Sequence, residues 1–91
     1  MASLSGKRRR KIKEPTDSMR KYYGDQFLRN QSKWIRRSKL ETDHLGIEFT
    51  FEGENAILVG SMTSEEVLLH LTSDDEYMIV HIDDVSRAIL E

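Results

Sequence analysis

The 91-residue chain has no cysteine, a single proline and five glycines. Without Cys, disulfide frameworks and Cys-ligated zinc sites are excluded, and a reducing compartment is compatible. No apolar run approaches the ~18 residues that a membrane helix needs, and the basic start leads into polar residues rather than the apolar stretch of a secretory signal. A soluble intracellular protein with no membrane partner is expected, cytoplasmic or nucleoid-associated, or nuclear in a eukaryote. Large apolar anchors are scarce too: one Trp, three Tyr and three Phe. A chain this short supports one small core and buries about 60–65% of the surface its unfolded form exposes.

Charge of one sign is also missing, half by half. Through Leu40 there are 13 basic residues against three acidic ones (Glu14, Asp17, Asp25), a balance of +10. From Glu41 to Glu91 the only basic residue is Arg87, against 13 acidic ones, a balance of −12. The net charge of −2 hides this polarity, which bears on partners and solubility rather than on fold.

Three regions follow from composition. Residues 1–14 hold Lys7, Arg8, Arg9, Arg10, Lys11 and Lys13 with only Leu4 and Ile12 as sizeable apolar residues after the initiator, so a disordered basic arm is expected. Residues 15–40 read as a basic amphipathic helical segment. Pro15 opens it, Thr16, Asp17 or Ser18 can cap it, and Met19, Tyr22 and Tyr23 form its first apolar face. Gly24 followed by Asp25 leaves two alternatives, one helix kinked at Gly24 or two helices. At about 100° per residue, Phe27, Leu28, Trp34 and Ile35 share one sector and Arg29, Lys33, Arg36 and Arg37 the opposite one.

Residues 41–91 read as an acidic small β-domain. Ile47, Phe49 and Phe51 alternate with Glu48, Thr50 and Glu52, the period of a strand with one buried face. Gly53-Glu54-Asn55 is expected as a turn, and residues 56–59 as a second strand with Gly60 as a bend or bulge. Residues 63–72 fit two patterns: Thr63 and Glu66 make a helix capping box, whereas Val67, Leu69 and Leu71 alternate; a strand is preferred. Residues 77–82 form the next strand, and face consistency favours a hairpin in which Leu71 meets Val80, Leu69 meets Ile82 and His70 meets His81. Leu68, Tyr77 and Ile79 then point outward, where the helix or a second subunit can dock, so a homo-oligomer is open. Asp83-Asp84-Val85 reads as a helical turn before a last short strand or helix at residues 86–90.

The expected class is therefore α+β, an N-terminal amphipathic helix followed by a mostly antiparallel five-stranded barrel or sheet. The spacing of Gly46-Ile47-Glu48-Phe49, Leu58-Val59-Gly60, Val67-Leu68-Leu69 and Ile82-Asp83-Asp84-Val85 resembles SH3-like small barrels, the Sm, Tudor and KOW group, over residues 46–90. That resemblance implies a closed five-stranded barrel. The Asp and Asn positions that bind uridine in Sm proteins, and the Arg-Gly pair of their fourth strand, have no counterpart here.

The strongest functional signal is the cluster of arm and helix cations. Each Lys or Arg that neutralises a phosphate releases condensed counterions, so a flexible cluster followed by a rigid row suits backbone binding to DNA or RNA. Arg8, Arg9, Arg10, Arg29, Arg36 and Arg37 can grip phosphate bidentately; Lys7, Lys11, Lys13 and Lys33 act as point charges. Tyr22, Tyr23 and Trp34 can stack on bases, although their helical spacing suits a core better. The acidic half has three possible roles: to fold back on the arm, to meet a basic protein partner, or to keep the domain soluble.

No catalytic, metal or cofactor constellation stands out. His70 and His81 lack a third ligand nearby, Asp74-Asp75 and Asp83-Asp84 are turn-type pairs, and Ser61, Ser64 and Ser86 lack the signature of an activated nucleophile. The expectation is a non-enzymatic nucleic-acid-binding accessory or regulatory protein, in a style that suits a virus or phage. The alternative is a protein-interaction module that inhibits or adapts a host enzyme through its acidic surface.

Overall fold

The computed structural model describes residues 9–37, 40 and 42–90, with the side chains of residues 32–37, 42 and 90 left outside the description. The elements are β1 (Arg10–Ile12), α1 (Asp17–Arg37), a 3-10 turn (Thr42–His44), β2 (Glu48–Phe51), β3 (Glu54–Ser61), β4 (Glu66–Leu71), β5 (Glu76–His81) and α2 (Ile82–Leu90). The class is α+β. The five strands form one antiparallel sheet in the order β1-β5-β4-β3-β2, an open meander closed by no β1–β2 pairing. The closed SH3-like barrel is thus not what the described residues form.

Several expectations change in detail. The fifth strand comes from the arm rather than from the C-terminus: Arg10–Ile12 pairs with β5, with Arg10 opposite Ile79 and Ile12 opposite Tyr77, so disorder does not extend through these residues. The C-terminal segment is the helix α2, joined to the turn at Asp83-Asp84. The β4–β5 hairpin is tighter than face consistency suggested. Leu71 pairs with Glu76, Leu69 with Met78 and Val67 with Val80. The shift is even, so each residue keeps its face, but His70 now meets Tyr77 and His81 meets Glu66. The two histidines are not neighbours.

The β2–β3 turn also moves, to Glu52-Gly53. Both residues have positive φ, 52° and 84°, as a two-residue hairpin requires to match the strand twist. Gly adopts this conformation without cost, while Glu52 is held there against its Cβ.

The choice of a strand at residues 66–71 agrees with the structure, and the competing helix signal has an identifiable origin. The Thr63 hydroxyl accepts hydrogen bonds from the Glu65 and Glu66 amides at 3.2 and 3.1 Å. The capping contacts form, but they close a turn between strands. Strand β4 is the middle of the sheet, and its residues 67–69 are all buried because both faces are covered. Its apolar run is continuous for that reason.

The core lies on the two faces of the sheet. One cluster joins Phe51, Ala56, Leu58, Val67, Leu69, Leu71 and Val80 to Ile82 and Val85 of α2, together with Phe27 and Leu40. The other joins Leu68, Tyr77 and Ile79 to Tyr23 of α1, with Ile12, Val59 and Met62 packed against it. The outward patch is thus covered by the helix and by Ile12 of the arm.

A single helix, α1, runs through Gly24 without interruption. Thr16 is its N-cap, accepting from the Met19 amide at 3.2 Å through its hydroxyl. The helix crosses β3 at Gly60, where the register shifts between Leu58 and Gly60 as a bulge. There the Tyr23 backbone sits where a Gly60 Cβ would be, 2.6 Å from the Tyr23 carbonyl carbon and oxygen. Asn30 is buried on the same side and donates to the Ser61 hydroxyl at 3.2 Å and the Thr63 carbonyl at 3.3 Å. The buried side of the helix is therefore Tyr23, Phe27 and Asn30; Leu28, expected inside, is 46% exposed, and Trp34 and Ile35 lie outside the described side chains.

Candidate nucleic-acid interface

The arm and the acidic half meet. In strand β1, successive side chains face opposite sides of the sheet. Ile12 joins the apolar cluster around Tyr77, and Arg10 reaches Glu66 at 3.2 Å. On the opposite side, Lys11 reaches Glu76 at 3.0 Å. Just before the strand, Arg9 is the most elaborately held cation.

Arg9 places Nη1 2.5 Å from Glu52 Oε1 and Nη2 3.2 Å from Asp84 Oδ2, with its guanidinium carbon 5.2 Å from the centre of the Phe51 ring. The three receptors come from the β2–β3 turn, the first turn of α2 and the end of β2. Asp84 is the most enclosed, its side chain 9% exposed, and Arg87 stands 3.7 Å away on its other oxygen. The hydrogen bond that Arg9 donates to Glu52, with a further contribution from the one it donates to Asp84, holds the Arg9 guanidinium above its ordinary pKa against the opposing effect of burial. A cavity of about 220 Å³ opens beside it, lined by Arg9, Phe51, Glu52, Asp84, Arg87 and Ala88.

A second network ties α1 to the sheet. Arg20 donates to the Tyr77 hydroxyl at 2.5 Å, lies 5.3 Å from the Tyr77 ring centre and approaches Glu14 at 3.5 Å. His70 stacks on Tyr77 with ring centres 4.3 Å apart and planes 2° from parallel, and its Nε2 lies 2.8 Å from Asp75. Tyr77 is buried, so these polar groups converge on a phenol at the sheet surface.

Of the ten candidate phosphate-binding residues, Arg9, Arg10 and Lys11 are engaged by carboxylates. Lys13 and Arg29 are exposed and form no ion pair among the described residues. Lys7 and Arg8 lie outside the described residues, as do the side chains of Lys33, Arg36 and Arg37, whose backbone belongs to α1. The aromatic candidates separate: Tyr23 is buried in the core, while Tyr22 is 55% exposed. At about 100° per residue, positions 22, 29, 33 and 36 share a sector of roughly 60° on the side of α1 away from Tyr23 and Phe27.

The sequence pointed to the arm and to folding back as one role of the acids, but not to the acids concerned. Glu52, Asp84, Glu66 and Glu76 are 43, 75, 56 and 65 residues from their partners, and no local spacing signals contacts at such range. No protein-family model, curated protein or solved structure matches this chain.

Proposed function

We propose that the protein is a non-enzymatic nucleic-acid-binding accessory protein that grips phosphates through the exposed face of α1. The observation that carries this reading is the state of Arg29. It stands exposed and without an ion pair among the described residues, in helical register with positions 33 and 36 and about two turns along the same face from the exposed Tyr22. Like-signed charges in a row on one rigid face repel one another, and phosphates relieve that repulsion. Tyr22 offers a stacking surface to an unpaired base.

The arm has a lesser part in this reading. Arg9, Arg10 and Lys11 must leave carboxylates before they meet phosphates, and the vacated acids recapture cations from solution. Their net counterion release is therefore smaller than that of the helix cations.

The test is binding of the full chain to generic duplex DNA, single-stranded DNA and RNA across a salt series. For duplex DNA each phosphate contact contributes a slope of about −0.9 in log K against log salt concentration. Changing Arg29, Lys33, Arg36 and Arg37 together to Gln is expected to flatten the slope by roughly 3 to 4. Changing Arg9, Arg10 and Lys11 to Gln should flatten it by less per residue. Absence of binding to all three nucleic acids at low salt, or a slope that the helix changes leave untouched, overturns the proposal.

A further inference from the structure

We infer that the outer edge of β5, with the cradle formed by Phe51, Glu52 and Asp84, is a receptor for an extended basic segment of a partner protein, and that residues 9–12 are its resident occupant. The inference does not depend on nucleic-acid binding.

The site reads its occupant at four successive positions. The first must be Arg. Its flat guanidinium meets two carboxylates from two different elements and an aromatic ring at once, at 2.5, 3.2 and 5.2 Å, a combination that a compact ammonium cannot reproduce. The second and third are basic and point to opposite faces of the sheet, towards Glu66 and Glu76 respectively. The fourth is aliphatic, since Ile12 packs against the cluster of Tyr23, Leu68, Tyr77 and Ile79. Backbone pairing along β5 holds the segment extended and sets the register. This is strand addition, in which the main chain supplies affinity and alternate side chains supply specificity.

Two observations set this edge apart from an ordinary acidic surface. The acids are not spread along one loop: they come from the β2–β3 turn, β4, β5 and α2, and all four converge on one four-residue segment. The occupant is also short. Three residues pair with β5 and residues 13–16 join them to α1; apart from Ile12, its side chains are held mostly by partly exposed ion pairs, individually weak and sensitive to salt. A partner segment of the form Arg-basic-basic-aliphatic can therefore enter when the arm is withdrawn. While the arm is seated it competes at an effective concentration on the order of millimolar.

The experiment uses the full chain with Arg9, Arg10 and Lys11 changed to Gln, its folding checked by circular dichroism. The probe is a fluorescein-labelled peptide of residues 7–14. Saturable binding is expected, weaker by at least tenfold for the wild-type chain, whose own arm fills the site. Adding Asp84→Asn or Glu52→Gln to the arm variant should each weaken binding by about tenfold, the equivalent of one charge-assisted hydrogen bond. Replacing the peptide's first site residue, Arg9, by Lys should weaken it several-fold. No saturable binding up to 1 mM (roughly 4 kcal/mol), equal binding of a scrambled peptide of the same charge, or equal binding by wild-type and arm variant would each overturn the inference. Sedimentation of the wild-type chain adds one more outcome: a concentration-dependent dimer that binds no peptide would assign the edge to a second copy's arm instead.

Discussion

Two glycines in the same helix crossing should respond to alanine with opposite signs. At Gly60 an added Cβ would lie 2.6 Å from the Tyr23 carbonyl carbon and oxygen and 2.7 Å from Tyr23 Cβ. Ordinary carbon contacts begin near 3.5 Å, so α1 would have to lift off β3 by about 1 Å. The obstructing atoms are helix backbone, which cannot rotate aside. A gap of that size forfeits up to half of the dispersion attraction across it, and it opens beneath Tyr23 and the Asn30–Ser61 hydrogen bond. We expect about 3 kcal/mol of overpacking cost, the upper end for cores, offset by about 0.5–1 kcal/mol from the stiffer unfolded chain. The net loss is roughly 2 kcal/mol, or a fall in Tm of about 8–16 °C for a chain of this size. At Gly24 nothing lies within 4 Å of the position a Cβ would take. Gly24→Ala, inside α1, should therefore gain about 1 kcal/mol from helix propensity and raise Tm by about 4–8 °C. Thermal and urea melts of both variants decide the matter. A Gly60→Ala chain within about 0.5 kcal/mol of wild type, the spread of ordinary surface substitutions, would refute the close approach and with it the seating of α1.

Five further substitutions, at four positions, examine the contacts around that frame. Asn30→Ala removes two donors to Ser61 and Thr63 in a buried site, and urea denaturation should report a loss of about 1–3 kcal/mol. Asp84→Asn should cost about 1 kcal/mol in the same assay, because Asp84 is enclosed between Arg9 and Arg87, whereas Glu76→Gln, at a half-exposed pair, should cost less than about 0.5 kcal/mol; equal losses would refute the ranking by enclosure. Glu52 combines a cation contact with positive φ. Glu52→Ala loses the contact and keeps the strain, Glu52→Gly loses both, and the Gly variant should be the more stable of the two by about 1 kcal/mol in paired thermal melts.

What the sequence disclosed was period, and what it concealed was phase. Alternation at Phe49 and Phe51 and in β4 identified strands, and the helical spacing identified α1. Yet among the described side chains the buried side of α1 is Tyr23, Phe27 and Asn30, while Leu28, of the expected apolar sector, is exposed. A polar residue, Asn30, occupies an interior position that an apolar pattern does not mark. The β4–β5 register slipped for a related reason. Face consistency fixes only whether pairing is odd or even, and the choice among allowed registers rests with the turn, where Asp75 adopts a φ of 54°. The arm strand was illegible because a run of basic residues has no preference for extended structure; only acids far along the chain supply one. For the candidate interface, the cations were readable as a class, but the division between Arg9–Lys11, already paired, and Arg29, unpaired among the described residues, was not.

That division bears on why a chain with such separated charge holds together. Ordering Arg9–Ile12 costs about 1–2 kcal/mol per residue in backbone entropy. The exposed ion pairs return about 0–1 kcal/mol each, the pairing with β5 about 1 kcal/mol per hydrogen bond, and Ile12 about 1.5–3 kcal/mol if its burial were complete. These terms offset to within a few kcal/mol, with the seated arm the favoured state. An arm held by so small a margin should shift outward at high salt, or when a polyanion offers phosphates in place of Glu66 and Glu76. Helix α1 is different in kind, because its place is set by Tyr23 against Gly60 and by Asn30 in the interior, contacts that salt does not weaken. The basic half of the sequence thus contains two cation sets with distinct physics. One rides on a helix fixed by the core, with Arg29 exposed and forming no ion pair among the described residues; the other, Arg9, Arg10 and Lys11, is paired with the protein's own acids.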